Sequence, residues 1–83
     1  MTRGEYRVGI NFNPSNDDKV AQIKRAAADL IDLIEDIPIL GAETEEQLLL
    51  SAEVARLKAL AQTHIEDAAM WAVKAATKPA INN

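Results

Sequence analysis

The chain has 83 residues, of which 48% are hydrophobic and only 4% aromatic, so it is long enough for one small domain with an aliphatic core. Its formal net charge of −4 argues against general binding of DNA or RNA. It contains no cysteine, which excludes disulfides and Cys-ligated metal. A metal site built on its single histidine would need several carboxylate ligands as well.

The absence of long apolar runs indicates a soluble intracellular protein. No run approaches the roughly 18 apolar residues of a membrane span, and residues 1–15 lack the apolar block of a signal peptide. A short, alanine-rich chain buries little apolar surface per residue and is marginal as an isolated domain. We therefore expect self-association.

The first 14 residues predict an extended N-terminal arm. Val8, Ile10 and Phe12 stand at alternate positions, which is the period of an extended segment. Tyr6 and Phe12 favour docking of this arm, residues 1–14, across another surface. The alternative interpretation is a frayed tail.

A first long helix is predicted over residues 16–37. Ser15 is suited to cap it, with Asp18 completing a pair that resembles a capping box, and Pro38 ends it. Its apolar residues recur at steps of three and four, as in a heptad seam. The seam comprises Val20, Ile23, Ala27, Leu30 and Ile34, and is widened by Ala26, Ile31 and Leu33.

A second, longer helix is predicted over residues 44–78. Thr44 and Gln47 form a capping box at its start, and Pro79 stops it. At 1.5 Å per residue it is about 50 Å long, against about 33 Å for the first helix. Its seam comprises Leu50, Val54, Leu57, Ala61, His64, Ala68, Trp71 and Ala75.

These two helices predict an all-α antiparallel hairpin that assembles into a homo-oligomer. Because the arms are unequal, part of the longer helix is left uncovered. Either the Leu48–Leu50 end folds back over the link between the helices, or a second copy covers it.

The hairpin gathers positive charge at its open end, where residues 1–25 lie beside residues 68–83. The first segment holds five basic and three acidic residues, and the second holds two lysines and no acid, so this end is +4 while residues 26–67 are −8. The aromatic residues Tyr6, Phe12 and Trp71 lie at the same end. Cations beside aromatic faces suit a ring ligand that carries phosphate. Alternatively, Lys74 and Lys78 compensate the helix dipole and Trp71 belongs to the core.

The sequence offers little for catalysis. His64 lies among apolar residues and is interpreted as an interface histidine, while Glu66 and Asp67 are adjacent on a helix and face different directions. There is no glycine-rich phosphate loop and no nucleophile elbow. We expect a binding protein that is not an enzyme.

Two sequence patterns resemble a known family. The pattern T-x-I-E-x-x-A-M-W-A-x-x-A over residues 63–75 is similar to the second-helix signature of the phage anti-CBASS and anti-Thoeris hairpin domain. F-N-P at 12–14, followed by I-K-x-x-A-x-x-L-x-x-L-I over 23–34, resembles the first half of that family. The resemblance covers about residues 6–79.

The resemblance implies a nucleotide sponge that acts in the cytoplasm of an infected bacterium. Such proteins bind cyclic messengers of bacterial antiviral signalling and withhold them without cleavage. The ligand implied is a cyclic dinucleotide, a cyclic trinucleotide or a messenger of the cyclic ADP-ribose type. The assembly implied is a homo-oligomer built from dimers, commonly a hexamer, with pockets between protomers and with no cofactor, DNA or membrane partner.

The resemblance also assigns roles to residues. An aromatic residue before the first helix, Phe12 or Tyr6, and a lysine within it, Lys24, would contact cyclic dinucleotides. Lys74 matches a basic residue that helps to bind cyclic trinucleotides. With the other residues of the positive end, the candidate ligand-binding set is Tyr6, Arg7, Phe12, Lys24, Arg25, Trp71, Lys74, Thr77 and Lys78.

Two functions of other classes stay open. The chain is also consistent with an acidic helical module that inhibits a host protein through its apolar seam, or with a coiled-coil component of a larger structure. A sponge is stabilised by its nucleotide through mass action, whereas neither alternative responds to one.

Overall fold

The computed structural model describes residues 1–81, and within that range the chain forms three helices and no strand. The helices are α1, Arg3–Val8; α2, Asp18–Glu35; and α3, Glu45–Ala76. The all-α prediction is confirmed, and α2 and α3 form a hairpin. None of these helices is long and apolar enough to cross a membrane.

The predicted extended arm is wrong, because residues 3–8 are helical. Thr2 and Glu5 form a capping box at the start of α1, and Gly9 ends the helix in the left-handed region at φ +64°. The arm does pack on another surface, as expected. Gly4 is buried against α2, so closely that a Cβ at this position would overlap the carbonyl group of Ala28.

Helix α2 is shorter than predicted at both ends. Its N-cap is Asp17, whose side chain accepts a hydrogen bond from the Lys19 amide at 2.7 Å, so the prediction that Ser15 caps it is wrong. The Ser15 hydroxyl instead donates to Asn13 and accepts from the Asp17 amide, which shapes the turn before the helix. The helix ends three residues before Pro38.

Helix α3 begins as predicted and ends slightly earlier. Thr44 and Gln47 form the expected capping box, which is confirmed, and Thr77 is the C-cap, two residues before Pro79. With 32 residues, α3 exceeds α2 by 14, so the inequality of the two arms is larger than expected.

Side chains of α3 bind main-chain atoms of α2 and so define the antiparallel arrangement. Lys58 donates to the carbonyls of Glu35 and Ile37, which closes the C-terminal end of α2. One turn further along α3, the buried Gln62 amide donates to the Ile31 carbonyl at 3.2 Å and to the Glu35 carboxylate at 2.9 Å. The hydrogen bond from Gln62 holds the pKa of the Glu35 carboxyl below its usual value.

Helix α3 is rotated relative to its predicted seam, whereas most of the predicted seam of α2 is buried or half-buried. The buried positions of α2 are Val20, Lys24, Ala28 and Ile31, and those of α3 are Gln62 and Ala69. Six members of the predicted α3 seam are exposed instead: Leu50, Leu57, His64, Ala68, Trp71 and Ala75. On α2, Ala26, Leu30 and Leu33 are likewise exposed. The inner faces of the hairpin therefore include the polar residues Lys24 and Gln62 beside Val20 and Ile31, and much of the apolar surface lies outside.

The resulting molecule is thin and elongated, with principal extents of 64 × 27 × 13 Å. Its Cα radius of gyration is 16.8 Å, whereas a compact chain of this length would have about 12 Å. Within residues 1–81 its buried hydrophobic residues are only Val20, Ala28, Ile31 and Ala69. The link does not bury the Leu48–Leu50 end, where all three leucines are more than half exposed.

Candidate ligand-binding cleft

Two adjoining cavities lie where the end of α1 and the following loop approach the first half of α2 and the last third of α3. The α1 cavity, about 260 Å³, is lined by Arg7, Val8, Lys24, Glu66, Ala69, Met70 and Val73. The loop cavity, about 210 Å³, is lined by Phe12, Asn13, Pro14, Ser15, Val20, Lys24, Val73 and Thr77. Lys24 and Val73 line both cavities, which together form one cleft.

Lys24 is the central polar residue of the cleft. Its relative exposure is 8%, and its ammonium group donates to the carbonyls of Gly9, at 2.9 Å, and Phe12. No carboxylate within residues 1–81 forms a salt bridge with it. Because an ammonium has three donors, two carbonyls leave one N–H free and supply no negative charge to balance that of the lysine. A buried charge without a counter-ion is costly, so this position favours an anion.

Phe12 lies next to Lys24 on the loop after α1. The ammonium nitrogen is 5.4 Å from the centre of the Phe12 ring, within the range of a cation–π interaction. The ring is nevertheless 71% exposed, so one of its faces is open to a stacking partner. Tyr6 lies on α1 beside a shallow surface depression lined by Met1, Thr2, Arg3 and Arg7, and it lines neither cavity.

Arg7 connects α1 to α3 at the edge of the α1 cavity. Its Nε atom is 3.3 Å from the Glu66 Oε1 atom, and its Nη2 atom is 3.4 Å from the Thr63 hydroxyl. Both charged side chains of the ion pair are partly shielded from solvent. The ion pair therefore tethers α1 to the hairpin while it presents polar atoms to the cavity.

Of the candidate residues at the C-terminal end of α3, one lines the cleft and the others lie on the outer surface. Thr77 lines the loop cavity, and its hydroxyl donates to the Val73 carbonyl at 2.8 Å. Trp71 is 61% exposed on the outer surface, and the Lys74 ammonium lies 5.3 Å from its ring centre. Lys78 follows the helix and is exposed.

Arg25 is held away from the cleft by two carboxylates. It lies 2.8 Å from Glu5 and 2.8 Å from Asp29, and lines neither cavity. The hydrogen bond from Arg25, with a smaller contribution from the Thr2 amide, lowers the pKa of Glu5 to about 2. The same carboxylates, first Glu5 and then Asp29, raise the pKa of Arg25. Arg25 thus fixes α1 on α2.

The positive end predicted from the sequence is weaker than expected. Helix α1 lies back along α2, so Arg3 pairs with Glu35 at 3.3 Å, in the acidic half of the hairpin. Arg7 and Arg25 are also neutralised by carboxylates. The lysines 19, 24, 74 and 78 form no salt bridge within residues 1–81, and they account for the positive charge that stays at this end.

Of the nine ligand-binding residues predicted from the sequence, the structure places four in the cleft, namely Arg7, Phe12, Lys24 and Thr77. It adds Glu66, Met70 and Val73, which sequence reasoning had not placed in the site. A helical spacing signal was available for them, since 66, 70 and 73 lie one turn apart on α3. Among residues 1–81, no group of three or more His, Cys, Asp or Glu residues could hold a metal ion.

A family model for the Acb2/Tad1 hairpin domain matches residues 5–77, which includes all three helices except the first two residues of α1. The chain belongs to the Acb2/Tad1 hairpin family. The resemblance noted in the sequence is therefore confirmed. No curated protein and no solved structure matched the chain.

The Acb2/Tad1 family is that of the phage anti-CBASS and anti-Thoeris sponges. In general terms, membership implies a binding protein for cyclic nucleotide messengers rather than an enzyme. The helical hairpin that the structure shows is the architecture named in the family description.

Proposed function

We propose that this Acb2/Tad1 hairpin protein sequesters a cyclic oligonucleotide or cyclic adenine-nucleotide messenger in the cytoplasm of an infected bacterium and does not cleave it. The observation that carries the proposal is the buried ammonium of Lys24, which forms no salt bridge with any carboxylate of residues 1–81 and lies between two mostly apolar cavities. A messenger phosphate would supply the missing negative charge and accept the third N–H of the lysine.

Phe12 is the aromatic residue best placed to stack on a base. Its exposed ring adjoins the Lys24 ammonium. One nucleotide would therefore make both contacts, with its phosphate on the lysine and its base stacked on the ring. Thr77 also lines the loop cavity. Tyr6 and Arg25 have no such placement within the protomer.

Trp71 and Lys74 are proposed to act in a second contact surface. Their exposed pair combines a stacking face with a cation, and it projects from the outer side of α3. With Lys78 close by along the chain, this surface would serve a larger cyclic trinucleotide between protomers. Helix-dipole compensation by Lys74 is the structural alternative.

We further propose a homo-oligomer, built from dimers and commonly a hexamer, whose interface is the exposed apolar stripe of α3. The stripe runs along the outer side of the helix and includes Leu50 and Leu57. A protomer only 13 Å thick with four buried hydrophobic residues gains little from its own core, and a second copy would cover the stripe.

The test is calorimetric titration with a panel of cyclic di- and trinucleotides and a cyclic ADP-ribose, followed by denaturation of each complex and chromatography of the ligand. Binding with recovery of intact messenger is the expected result. A linear or hydrolysed product would make the protein an enzyme. Failure of every ligand to bind would refute the sponge function.

A second candidate function is inhibition of a host protein. The favouring observation is the exposed apolar surface at the loop end, which includes Ile39, Leu40 and Leu48–Leu50 and is far from the cleft. Under this hypothesis, no cyclic nucleotide changes the melting temperature, whereas a sponge is stabilised by its messenger.

A further inference from the structure

The α1 cavity is too small for a whole cyclic messenger. Its volume of about 260 Å³ lies below the ~300–1,000 Å³ of sites for drug-sized ligands. Its walls are mostly apolar, from Val8, Ala69, Met70 and Val73. A flat, apolar-faced group such as one nucleobase fits such a space, while the sugar and phosphate stay outside.

The polar groups of this cavity do not suit a phosphate. Arg7 is already paired with Glu66, and the carboxylate of Glu66 would repel a phosphate that entered. Lys24 contributes to the wall, but two of its three N–H groups are used by the carbonyls of Gly9 and Phe12, and the third is the one proposed for a phosphate outside this cavity. The cavity therefore selects a neutral group with hydrogen-bond donors.

Arg7 and Glu66 each retain an atom for a ligand. Arg7 uses Nε and Nη2 within the protein, and Glu66 uses Oε1. Within residues 1–81, Arg7 Nη1 and Glu66 Oε2 have no hydrogen-bond partner. The pair thus offers a donor beside a carboxylate, whose two oxygens carry about four acceptor sites.

This arrangement matches the edge of guanine better than that of adenine. Guanine presents two neighbouring donors, N1–H and the 2-amino group, with the O6 acceptor beside them. A carboxylate can accept from both donors while an arginine donates to O6. Adenine presents one donor and one acceptor on the corresponding edge and makes one hydrogen bond fewer.

We infer that the Arg7–Glu66 pair reads the edge of a nucleobase inserted into the α1 cavity and makes this protein favour messengers that contain guanine. The inference rests on the proposed sponge function and names the specificity of the same cleft. It makes Glu66 a specificity-determining residue rather than only a tether for α1.

The experiment compares cyclic di-GMP, cyclic di-AMP and cyclic di-IMP by calorimetric titration of the full chain. Cyclic di-IMP lacks only the 2-amino groups of cyclic di-GMP. We expect cyclic di-GMP to bind at least tenfold more tightly than either of the others, because one charge-assisted hydrogen bond is worth about tenfold or more. This comparison uses the unmodified protein and does not depend on the folding of a variant.

Glu66→Gln tests the residue itself. The amide keeps an acceptor for Arg7 but presents an NH₂ group to the guanine donors, and Gln is a good partner for adenine. The ratio of cyclic di-GMP to cyclic di-AMP affinity should fall at least tenfold. Glu53→Gln, which alters a Glu–Arg pair at the far end of the same helix, should leave the ratio unchanged.

The possible results separate the inference from the function. Equal affinities for the three ligands in the unmodified protein would overturn the inference and leave the sponge function standing. The inference is also overturned if Glu66→Gln weakens the binding of all three ligands equally, because a residue that only holds α1 in place would affect every ligand alike. If none of the three ligands binds, the sponge function fails for dinucleotides and the inference fails with it.

Discussion

Replacing Lys24 with methionine separates the structural role of this lysine from its role in ligand binding. Methionine keeps most of the buried aliphatic stem and removes the ammonium that binds the carbonyls of Gly9 and Phe12. Hydrogen bonds to a charged group contribute about 1.5–3 kcal/mol each. If a messenger phosphate takes the third N–H, its loss should weaken binding roughly 10- to 150-fold, because 1.4 kcal/mol is a factor of ten.

The chain provides a closely matched control in Lys58. This lysine also donates to two main-chain carbonyls, those of Glu35 and Ile37, but it lies at the opposite end of the hairpin. Lys58→Met therefore removes the same kind of structural contact. Both variants should lower the melting temperature, and only Lys24→Met should lose the messenger.

Calorimetric titration measures affinity in each variant, with thermal unfolding and light scattering to compare folding and assembly. Unchanged affinity in Lys24→Met would refute the assignment of this lysine to the ligand. Equal loss of affinity in both variants would show that general destabilisation, rather than a phosphate contact, controls binding.

Three further predictions concern the protomer and its assembly. Gly4→Ala should destabilise the fold by about 1–3 kcal/mol, because the new Cβ meets rigid backbone of α2; in Gly41→Ala, where a Cβ meets nothing within 4 Å, thermal unfolding should be little changed. Because the pKa of Glu5 falls from 4.5 to about 2 on folding, its pair with Arg25 stabilises the protein above pH 4.5, and this contribution is lost as the pH falls toward 2. Glu5→Gln should flatten that part of the profile of melting temperature against pH, and an unchanged slope would contradict the assignment. Leu57→Glu, at a position already 51% exposed, should reduce the assembled mass measured by light scattering; an unmodified protein that stays at 9.0 kDa would refute the proposed interface.

The two long helices could be predicted because their signals are local. Thr44 and Gln47 define the start of α3, and proline bounds the range of each helix. Helix α1 could also have been found from Thr2, Glu5 and Gly9, but the alternation of Val8, Ile10 and Phe12 favoured the wrong period. Val8 is the last residue of α1, Ile10 lies in the turn that follows, and Phe12 comes after that turn.

The orientation of the helices could not be predicted from a hairpin alone. A third helix packs on α2 at Ala28, and this contact turns Lys24 inward while Leu30 and Leu33 face outward. A pattern with a spacing of three and four does not distinguish the face that packs within the chain from a face that is left for another copy. The sequence therefore predicted most of the inner face of α2, but it placed on the inner face of α3 a stripe that is mostly exposed.

Charge counting failed for a related reason. The arginines at positions 3, 7 and 25 each pair with a carboxylate on another helix or along the same one, and those distances depend on where α1 docks. Lys24 was predicted as a binding residue, but that it forms no salt bridge within the described residues is visible only in three dimensions. A sum over a segment does not show which charges are compensated.

The way α1 is anchored affects the order in which the chain can fold. Gly4 on Ala28, Arg3 with Glu35, and Arg25 with Glu5 are contacts within the first 35 residues. These contacts join residues at most 32 positions apart, whereas the pairing of α2 with α3 extends to residues as far apart as Val20 and Thr77, and contacts between distant residues form more slowly. During synthesis, which proceeds from the N-terminus, α1 and α2 can meet before α3 is complete. The arrival of α3 then forms the last wall of the cleft, so the cleft is complete only after α3 has been synthesised.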